Sequence, residues 1–291
     1  QLEMLRRLEL SAADHQAVAQ YCGRRQVRFM STAFDAASLA FLAGFGMPAI
    51  KIPSGDVTCA PLLLQASRLR TPLIVSTGMC TLYEVKAALG VIAFGLTRAG
   101  EPAGRLDCER AYASAEGRDA LARNVTLLHC VTQYPAPPES VNLRAMDTMA
   151  AQFGLPVGYS DHTLGYEVAL AAVARGATII EKHFTLDRTL PGPDQAASLE
   201  PEELRRMITG IRNIERALGD GRKAPAAQEL GNRDVARRSL VAARAIRKGE
   251  VFVAESLACK RPGHGVSPMA YWDVLGLRAP RDFAADELIE L

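Results

Sequence analysis

Residues 178–185 read TIIEKHFT, an apolar and β-branched run that ends in charged and aromatic residues. Short runs of this kind are typical of buried parallel strands. Five further runs of the same kind occur earlier in the chain and also predict strands. The six predicted strands are Val27–Phe34, Ala49–Gly55, Pro72–Gly78, Val125–Val131, Pro156–Asp161 and Thr178–Thr185.

Helical periodicity lies between these runs, and repeated β-α units predict a parallel sheet covered by helices. The polar segment 97–123 interrupts the pattern and is interpreted as a surface insertion. The predicted helices are Ser11–Arg24, Ala36–Ala43, Leu82–Gly95, Leu143–Phe153, Tyr166–Arg175 and Glu202–Ala217.

Such a sheet can have either of two arrangements, an open doubly wound sheet or a closed (β/α)₈ barrel. An open sheet that binds a nucleotide carries a glycine-rich phosphate turn at its switch point, and the sequence contains no GxGxxG or Walker motif. Instead, polar residues stand at the C-terminal end of all six runs. This distribution favours a barrel, in which all the strand ends surround one mouth.

Composition limits the classes of protein. The 291 residues include 48% hydrophobic and 23% charged residues, and the net charge of +2 gives no argument for a nucleic-acid or membrane partner. The six cysteines form no CxxC pair and predict reduced thiols. No apolar run reaches the ~18 residues of a membrane span. We therefore expect a cytoplasmic enzyme or binding protein.

The chain is predicted to have two parts joined by a linker. Residues 1–218 form the barrel domain, and residues 219–237 are a polar linker. Residues 238–291 read as a compact β-rich module, and a module of this size has a small core of its own.

Two histidines are candidate metal ligands. Side chains alternate along a strand, so Glu181 and His183 share one face, while Ser160 and His162 share a face of the neighbouring strand. Two imidazoles at adjacent strand ends can reach one divalent ion and leave positions open for water or substrate. Alternatively, each histidine caps a strand or bonds a carboxylate.

Lys51 lies inside an apolar strand, and three interpretations remain open for it: snorkelling to the rim, clamping an anion, or forming a Schiff base. Hydroxyl side chains stand at the same mouth, and a lysine with several hydroxyls can hold a phosphate without a glycine loop. These candidate hydroxyls are Thr32, Ser54, Ser76, Thr132 and Ser160.

Two other residues, His129 and Arg261, are also considered for a role in the site. His129 shares its face with Val131 and is interpreted as a buried structural histidine. Arg261 lies in a glycine-rich turn and is either a surface residue or a finger aimed at a ligand.

Several motifs occur in one order along the chain: KIPSGD, STGM, HCVTQYPAPPESVNL, GYSDHTLG, EKHFTLDRTLPGPD with SLEP, and KRPGHGVSP. In this order they closely resemble the bacterial sialic acid synthase family, which includes legionaminic and pseudaminic acid synthases. The resemblance implies a TIM-type (β/α)₈ barrel followed by a small antifreeze-like (SAF) β-clip domain.

The resemblance also implies roles for individual residues. His162 and His183 match the metal-binding histidines, and Lys51 and Ser54 match the phosphoenolpyruvate ligands. Further ligand contacts match Thr32, Ser76, Thr132 and Ser160, and the residues that face the sugar match Tyr134 and Asp194. Glu181, which points inward, joins the catalytic set with the two histidines and Lys51. Asp56 stands where many members have Glu, and Gln195 stands where many have His.

The implied reaction condenses phosphoenolpyruvate with an N-acetylated amino sugar and releases phosphate. N-acetylmannosamine is the first acceptor to consider, followed by sugars that give legionaminic or pseudaminic acid. The implied cofactor is a divalent metal, Mn²⁺ first, with Mg²⁺ or Co²⁺ as alternatives. Arg261 matches an arginine that enters the partner's active site, which implies a domain-swapped homodimer. The alternatives are a class I aldolase that uses Lys51 and a non-catalytic carbohydrate- or anion-binding protein.

The family opens with a motif like AEIGxNHxG on its first strand and a KFQ-type lysine on its second, and neither is in this sequence. We therefore expect a barrel that lacks its first two βα units in this chain, with the runs 27–34 and 178–185 flanking the gap. At about 30–35 residues per unit, the expected longer protein has roughly 350–370 residues.

Overall fold

The computed structural model describes residue 6 and residues 8–291. The chain divides into two compact units, the first ending at Gly219 and the second spanning Asp220–Leu291.

The first unit is built on a parallel sheet. In its described part, five strands pair in chain order, β1-β2-β3-β4-β5. Apolar residues on both faces of β2 and β3 explain this arrangement, because parallel strands are stable where both faces are covered. The strands are β1 Ile50–Ile52, β2 Leu73–Ser76, β3 Val125–Cys130, β4 Val157–Asp161 and β5 Ile180–Lys182.

The sheet is strongly curled. Neighbouring strands lie about 4.8 Å apart, so in a flat sheet four steps would separate β1 from β5 by about 19 Å. However, Lys51 Nζ on β1 lies 3.3 Å from Glu181 Oε2 on β5. The two edge strands therefore face each other across a concave surface, and the five strands form a half-barrel with helices outside it, as the barrel prediction requires.

Helices follow the strands and cover the outer face. Those in the first unit are α1 Ala12–Arg24, α2 Ala36–Ala43, α3 Ala60–Arg68, α4 Leu82–Thr97, α5 Arg105–Ala113, α6 Ala115–Asn124, α7 Pro138–Val141, α8 Arg144–Phe153, α9 Glu167–Ala174 and α10 Pro201–Leu218. The predicted helices are all present within a few residues. The predicted insertion is instead mostly helical, because α5 and α6 pack against α4 with Cys108 and Leu121 buried. Nothing in the sequence analysis predicted α3.

Helix α4 is the central helix of this covering layer. It begins with a capping box, in which Thr81 Oγ1 accepts from the Glu84 amide and the Thr81 amide donates to Glu84 Oε2 at 2.7 Å. A side chain at Gly95 would overlap the hydroxyl of Ser67, so α3 and α4 approach closely because Gly95 has none.

One predicted strand is wrong. Residues 27–34, all of which the structure describes, contain no strand. A parallel strand depends on burial of both faces, and Val27 is 60% exposed and Phe34 70% exposed here. The prediction that this run flanks a gap in the sheet is wrong for the same reason.

The second unit contains an antiparallel pair, β6 Ser239–Ala242 with β7 Leu257–Lys260, and isolated bridges such as Ile246 with Phe283 extend the pairing. Its core is small and includes Leu240, Phe252 and Phe283. The predicted β-rich module is thereby confirmed. Helix α11, Leu230–Ala236, lies within the predicted linker, and α12 spans Tyr271–Val274.

Across the described residues, no helix combines the length and the hydrophobicity that crossing a membrane requires.

Candidate functional site

A cavity of about 460 Å³ opens on the concave side, where the strands end. It brings together all the residues predicted for the site except Asp56, Asp194 and Arg261. Its lining residues are Thr32, Phe34, Lys51, Pro53, Ser54, Gly55, Ser76, Cys130, Thr132, Tyr134, Ser160, His162, Glu181, Lys182 and His183.

The charged pair of the cavity is Lys51 and Glu181. Besides its 3.3 Å contact with Lys51 Nζ, the Glu181 carboxylate accepts a 2.6 Å hydrogen bond from Ser160 Oγ. The Lys51 side chain is 11% exposed, which excludes free snorkelling to solvent. A buried ammonium needs a partner, and Glu181 supplies it.

The two candidate metal ligands lie side by side, with ring centroids 5.3 Å apart. The Nδ1 atom of His162 is 2.6 Å from the carbonyl of Val131. Because a carbonyl only accepts, this nitrogen carries the proton and Nε2 keeps its lone pair. Burial lowers the pKa of His162 and so favours the neutral imidazole, the form that binds a metal.

His183 has an acidic neighbour, since Asp194 Oδ2 lies 3.7 Å from its Nδ1. A carboxylate that accepts a hydrogen bond from a ligating histidine orients its ring, and Asp194 is close enough to do so after a small shift. Two adjacent imidazoles beside a polar cavity fit a divalent metal that takes its remaining ligands from water or substrate. Within the described ranges, no cluster of three or more His, Cys, Asp or Glu side chains could hold a metal by itself.

Tyr134 covers the histidines. Its ring centroid is 4.0 Å from that of His162 and 5.4 Å from that of His183. Burial raises the pKa of the Tyr134 phenol to about 12. The group therefore keeps its proton near neutral pH and can donate a hydrogen bond to a ligand oxygen.

Hydroxyl groups line another part of the cavity wall. Ser54 Oγ accepts from the Gly78 amide at 3.0 Å. A Cβ at Gly78 would lie 2.7 Å from the Thr132 methyl carbon and 2.8 Å from Ser54 Oγ, so this wall is closely packed. The buried hydroxyl of Ser76 has no hydrogen-bond partner among the described residues. Such a group is expensive to leave unpaired, and an oxygen of a bound ligand can satisfy it.

Three predicted site residues lie outside the lining. Asp56 belongs to the 3₁₀ turn Ser54–Asp56, and burial raises its pKa. Asp194 lies behind His183 on the loop 187–198. Arg261 belongs to the second unit, where its Nε donates to the Ala236 carbonyl at 2.9 Å.

The loop 187–198 is held largely by its own hydrogen bonds. Asp187 Oδ1 accepts from the amide and the hydroxyl of Thr189, both at 2.7 Å, and Ser198 Oγ donates to the Asp194 carbonyl at 2.7 Å. Arg188 ties the loop to the start of α10 through Glu200 and Glu203.

The sequence analysis missed one feature beside the site, an ion pair between Lys182 and Asp161. A signal for it was present, because Lys182 falls on the face of its strand that carries Ile180 and Phe184. A charge on such a face needs a buried partner, and Asp161 occupies the matching face of the next strand. His129, predicted to be structural, bonds the Val141 carbonyl through Nε2 at 2.6 Å.

Comparison with known proteins identifies the family. Residues 1–223 match the NeuB family, and residues 237–290 match the SAF domain. The N,N'-diacetyllegionaminic acid synthase of Campylobacter jejuni subsp. jejuni serotype O:2 is 43% identical over 289 residues, covering 99% of this chain and 80% of that protein. The enzyme of the same name from Legionella pneumophila is 41% identical over 285 residues, covering 98% and 74%.

Among solved structures, the N-acetylneuraminic acid (sialic acid) synthetase of Leptospira borgpetersenii serovar Hardjo-bovis superposes with a TM-score of 0.67 at 30% identity. The match covers 79% of this chain and 72% of that one. The resemblance drawn from the motifs is confirmed, and the chain belongs to the NeuB family.

Proposed function

We propose that this protein condenses phosphoenolpyruvate with the open-chain aldehyde of an N-acetylated amino sugar and releases phosphate. The proposal rests on one observation: Lys51, several hydroxyl groups and two adjacent histidines line the same cavity. Membership of a family whose relatives are named synthases supports it.

We further propose a six-carbon aldose with two acetamido groups as the acceptor, so that the product is of the N,N'-diacetyllegionaminic type. Identity is 43% and 41% with two synthases of that name and 30% with the N-acetylneuraminic acid synthetase. This ranking moves N-acetylmannosamine from first to second place.

Phosphoenolpyruvate brings about three negative charges into a chain whose net charge is only +2, so binding depends on local donors. Lys51 supplies the positive charge. Ser54 and Ser76 supply hydroxyl donors, and Thr32, Thr132 and Ser160 line the same cavity. Lys51, Ser54 and Ser160 are already held by contacts within the chain, which limits the cost of reorganisation.

The reaction forms a carbon–carbon bond at C3 of phosphoenolpyruvate and a carbon–oxygen bond from water to C2, and it breaks the C2–oxygen bond to phosphate. C3 of phosphoenolpyruvate attacks the aldehyde carbon, whose oxygen takes up a proton, and the positive charge that develops at C2 is quenched by water. The C2 hydroxyl of the resulting tetrahedral intermediate then loses its proton and becomes a ketone as phosphate leaves. We assign Glu181 to accept a proton from the water and Tyr134 to donate a hydrogen bond to the sugar.

His162 and His183 are the residues that would hold the divalent metal, Mn²⁺ first and Mg²⁺ or Co²⁺ as alternatives. When bound, the metal supplies Lewis-acid polarisation of the aldehyde oxygen. Asp194 would orient His183, and the Val131 carbonyl fixes the tautomer of His162.

Three other elements of the proposal follow from the family resemblance and the sequence. Asp56 lies beside the ligand-binding hydroxyls. Arg261 completes the partner's site in a domain-swapped homodimer. The reaction takes place in the cytoplasm, where the six free thiols would stay reduced.

The test is phosphate release from phosphoenolpyruvate with saturating metal and a panel of sugars. The panel contains epimeric diacetamido-trideoxyhexoses and N-acetylmannosamine. The expected result is turnover that is fastest with the acceptor giving diacetyllegionaminic acid. The Ser76→Ala variant should raise KM for phosphoenolpyruvate, and exposed Ser140→Ala serves as its matched control.

Other outcomes would decide between the alternatives. Fastest turnover with N-acetylmannosamine or with the pseudaminic precursor would overturn the proposed acceptor and leave the reaction class standing. Sugar binding without phosphate release would favour a non-catalytic binding protein.

A further inference from the structure

Asp161 and Lys182 occupy the last rung of the ladder between β4 and β5, where they stand directly opposite each other. Each immediately precedes one of the two candidate metal ligands, His162 and His183. Lys182 Nζ lies 2.9 Å from Asp161 Oδ2, so one ion pair joins the two strand ends that carry the histidines.

The pair is buried, with side-chain exposures of 3% for Lys182 and 0% for Asp161. Removing two charges from water is costly, and their attraction offsets that cost only where hydrogen bonds satisfy the remaining atoms. A buried ion pair is therefore weak evidence for a role in stability. The position of the pair, between the strand ends that precede His162 and His183, indicates a role in the geometry of the site.

The remaining bonds of the pair all go to Thr163. Asp161 Oδ1 accepts from the Thr163 amide at 2.9 Å and from its hydroxyl at 2.8 Å, and Lys182 Nζ also donates to the Thr163 carbonyl at 2.5 Å. The residues on both sides of His162 are thus fixed. The His162 carbonyl itself accepts from the Ala136 amide at 2.9 Å.

We propose that the Asp161–Lys182 pair is a positioning device that holds His162 and His183 at the separation a single metal ion requires. The inference rests on the proposed function for its metal. Neither residue is catalytic in this proposal, since both act through the backbone of the histidines beside them. Groups behind metal ligands commonly change metal affinity about 10- to 100-fold when removed.

The main test is the double variant Asp161→Asn/Lys182→Met, which removes both charges and leaves neither one buried alone. Mn²⁺ is titrated calorimetrically into the metal-stripped full chain, and unfolding in urea is measured in parallel. We expect the dissociation constant for Mn²⁺ to rise about 10- to 100-fold. The urea midpoint should stay near that of the wild type, because replacing both members of a buried pair is often neutral.

Two further measurements separate positioning from general destabilisation. Gly95→Ala, which lies on the outer helix α4, should lower the urea midpoint without changing Mn²⁺ affinity. Raising Mn²⁺ should restore phosphate release in the double variant. Asp161→Asn alone, the second variant, keeps an oxygen for Thr163 but leaves the Lys182 ammonium buried without a counter-charge, so it should lower the urea midpoint as well as the affinity for Mn²⁺.

Unchanged Mn²⁺ affinity in both variants would overturn the inference, and so would an equal loss in Gly95→Ala. A wild-type chain without saturable Mn²⁺ binding would remove the inference together with the metal assignment. A wild-type chain that binds Mn²⁺ but releases no phosphate with any sugar would overturn the proposed function alone.

Discussion

The ammonium of Lys51 is paired with the carboxylate of Glu181 at 3.3 Å, although the two residues come from the opposite edge strands of the sheet. The cavity therefore holds a balanced charge pair before any ligand binds. A salt bridge engages the ammonium form of lysine, whereas an imine requires the neutral amine. This relationship favours an anion clamp over a Schiff base.

Replacing Lys51 by Ala should raise KM for phosphoenolpyruvate and lower kcat, because the negative charge that Lys51 meets persists to the transition state. Removing a charged group that contacts a ligand anion in a cavity costs about 2–5 kcal/mol of binding, so kcat/KM should fall about 30-fold or more. Steady-state kinetics measures both constants. Borohydride treatment with pyruvate should add no mass at Lys51, and a trapped adduct there would show that the aldolase alternative is right.

Removal of either imidazole of the candidate metal site should abolish metal-dependent turnover. His162→Ala and His183→Ala should each lose saturable Mn²⁺ binding in calorimetry, since one histidine leaves too few protein ligands. The matched control is His129→Gln, which changes a histidine bonded to the Val141 carbonyl. Normal Mn²⁺ affinity in both alanine variants would mean that the metal binds elsewhere.

Arg261 is expected to act in the partner's site. Arg261→Ala and His183→Ala should each be inactive, while a 1:1 mixture after subunit exchange should recover about one quarter of wild-type activity. The value follows because half the dimers are hybrids and half of their sites are intact. Exchange is verified by mass spectrometry of tagged chains, and a verified hybrid without activity contradicts action in trans.

The close approach of α3 and α4 predicts a sharp contrast between two glycines. A Cβ at Gly95 would overlap the Ser67 hydroxyl, whereas a Cβ at Gly23 in α1 meets nothing within 4 Å. Gly95→Ala should lower the free energy of unfolding by about 1–3 kcal/mol through overpacking. Gly23→Ala should leave it unchanged or raise it by up to about 1 kcal/mol.

Denaturant unfolding measures both glycine variants. Ser67→Ala combined with Gly95→Ala should recover part of the loss, because the overlapping oxygen is gone. Equal stabilities of Gly95→Ala and Gly23→Ala would show that the helices adjust without cost.

Stability should depend on pH through His129. Burial lowers the pKa of His129 in the folded chain below its ordinary value near 6.5. As pH falls through about 6.5, the unfolded chain takes up the proton first, so stability is present above that pH and is lost below it. Unfolding at pH 7.5 and 5.5 should show a smaller difference in His129→Gln than in the wild type. An equal difference in both would exclude His129 as a source.

Local patterns predicted the helices α1, α2 and α4 well, because each begins at a side-chain cap, Ser11, Asp35 or Thr81. Alternation along β4 and β5 also placed Ser160, His162, Glu181 and His183 on the inner side. These are properties of neighbouring residues, which a sequence displays directly.

Features that depend on distant pairing were harder to predict. The Asp161–Lys182 pair requires the register between two strands. Residues 27–34 have a composition that suits a strand, but they form none, because side chains such as Val27 and Phe34 are not covered by a neighbouring element. The polar sequences of α5 and α6 did not indicate helices, because much of the stability of these helices comes from packing against α4.

The internal bonding of the loop 187–198 matters for engineering the specificity for the acceptor sugar. Asp194, the acidic neighbour of His183, sits on a segment whose hydrogen bonds are mostly internal and whose anchor is the start of α10. Such a segment can be exchanged as a unit, while the strands that carry Lys51 and the serines keep their geometry. Laboratory evolution of a new acceptor range is therefore best started within this segment, with Asp187, Asp194 and Ser198 kept because they hold the loop or contact His183.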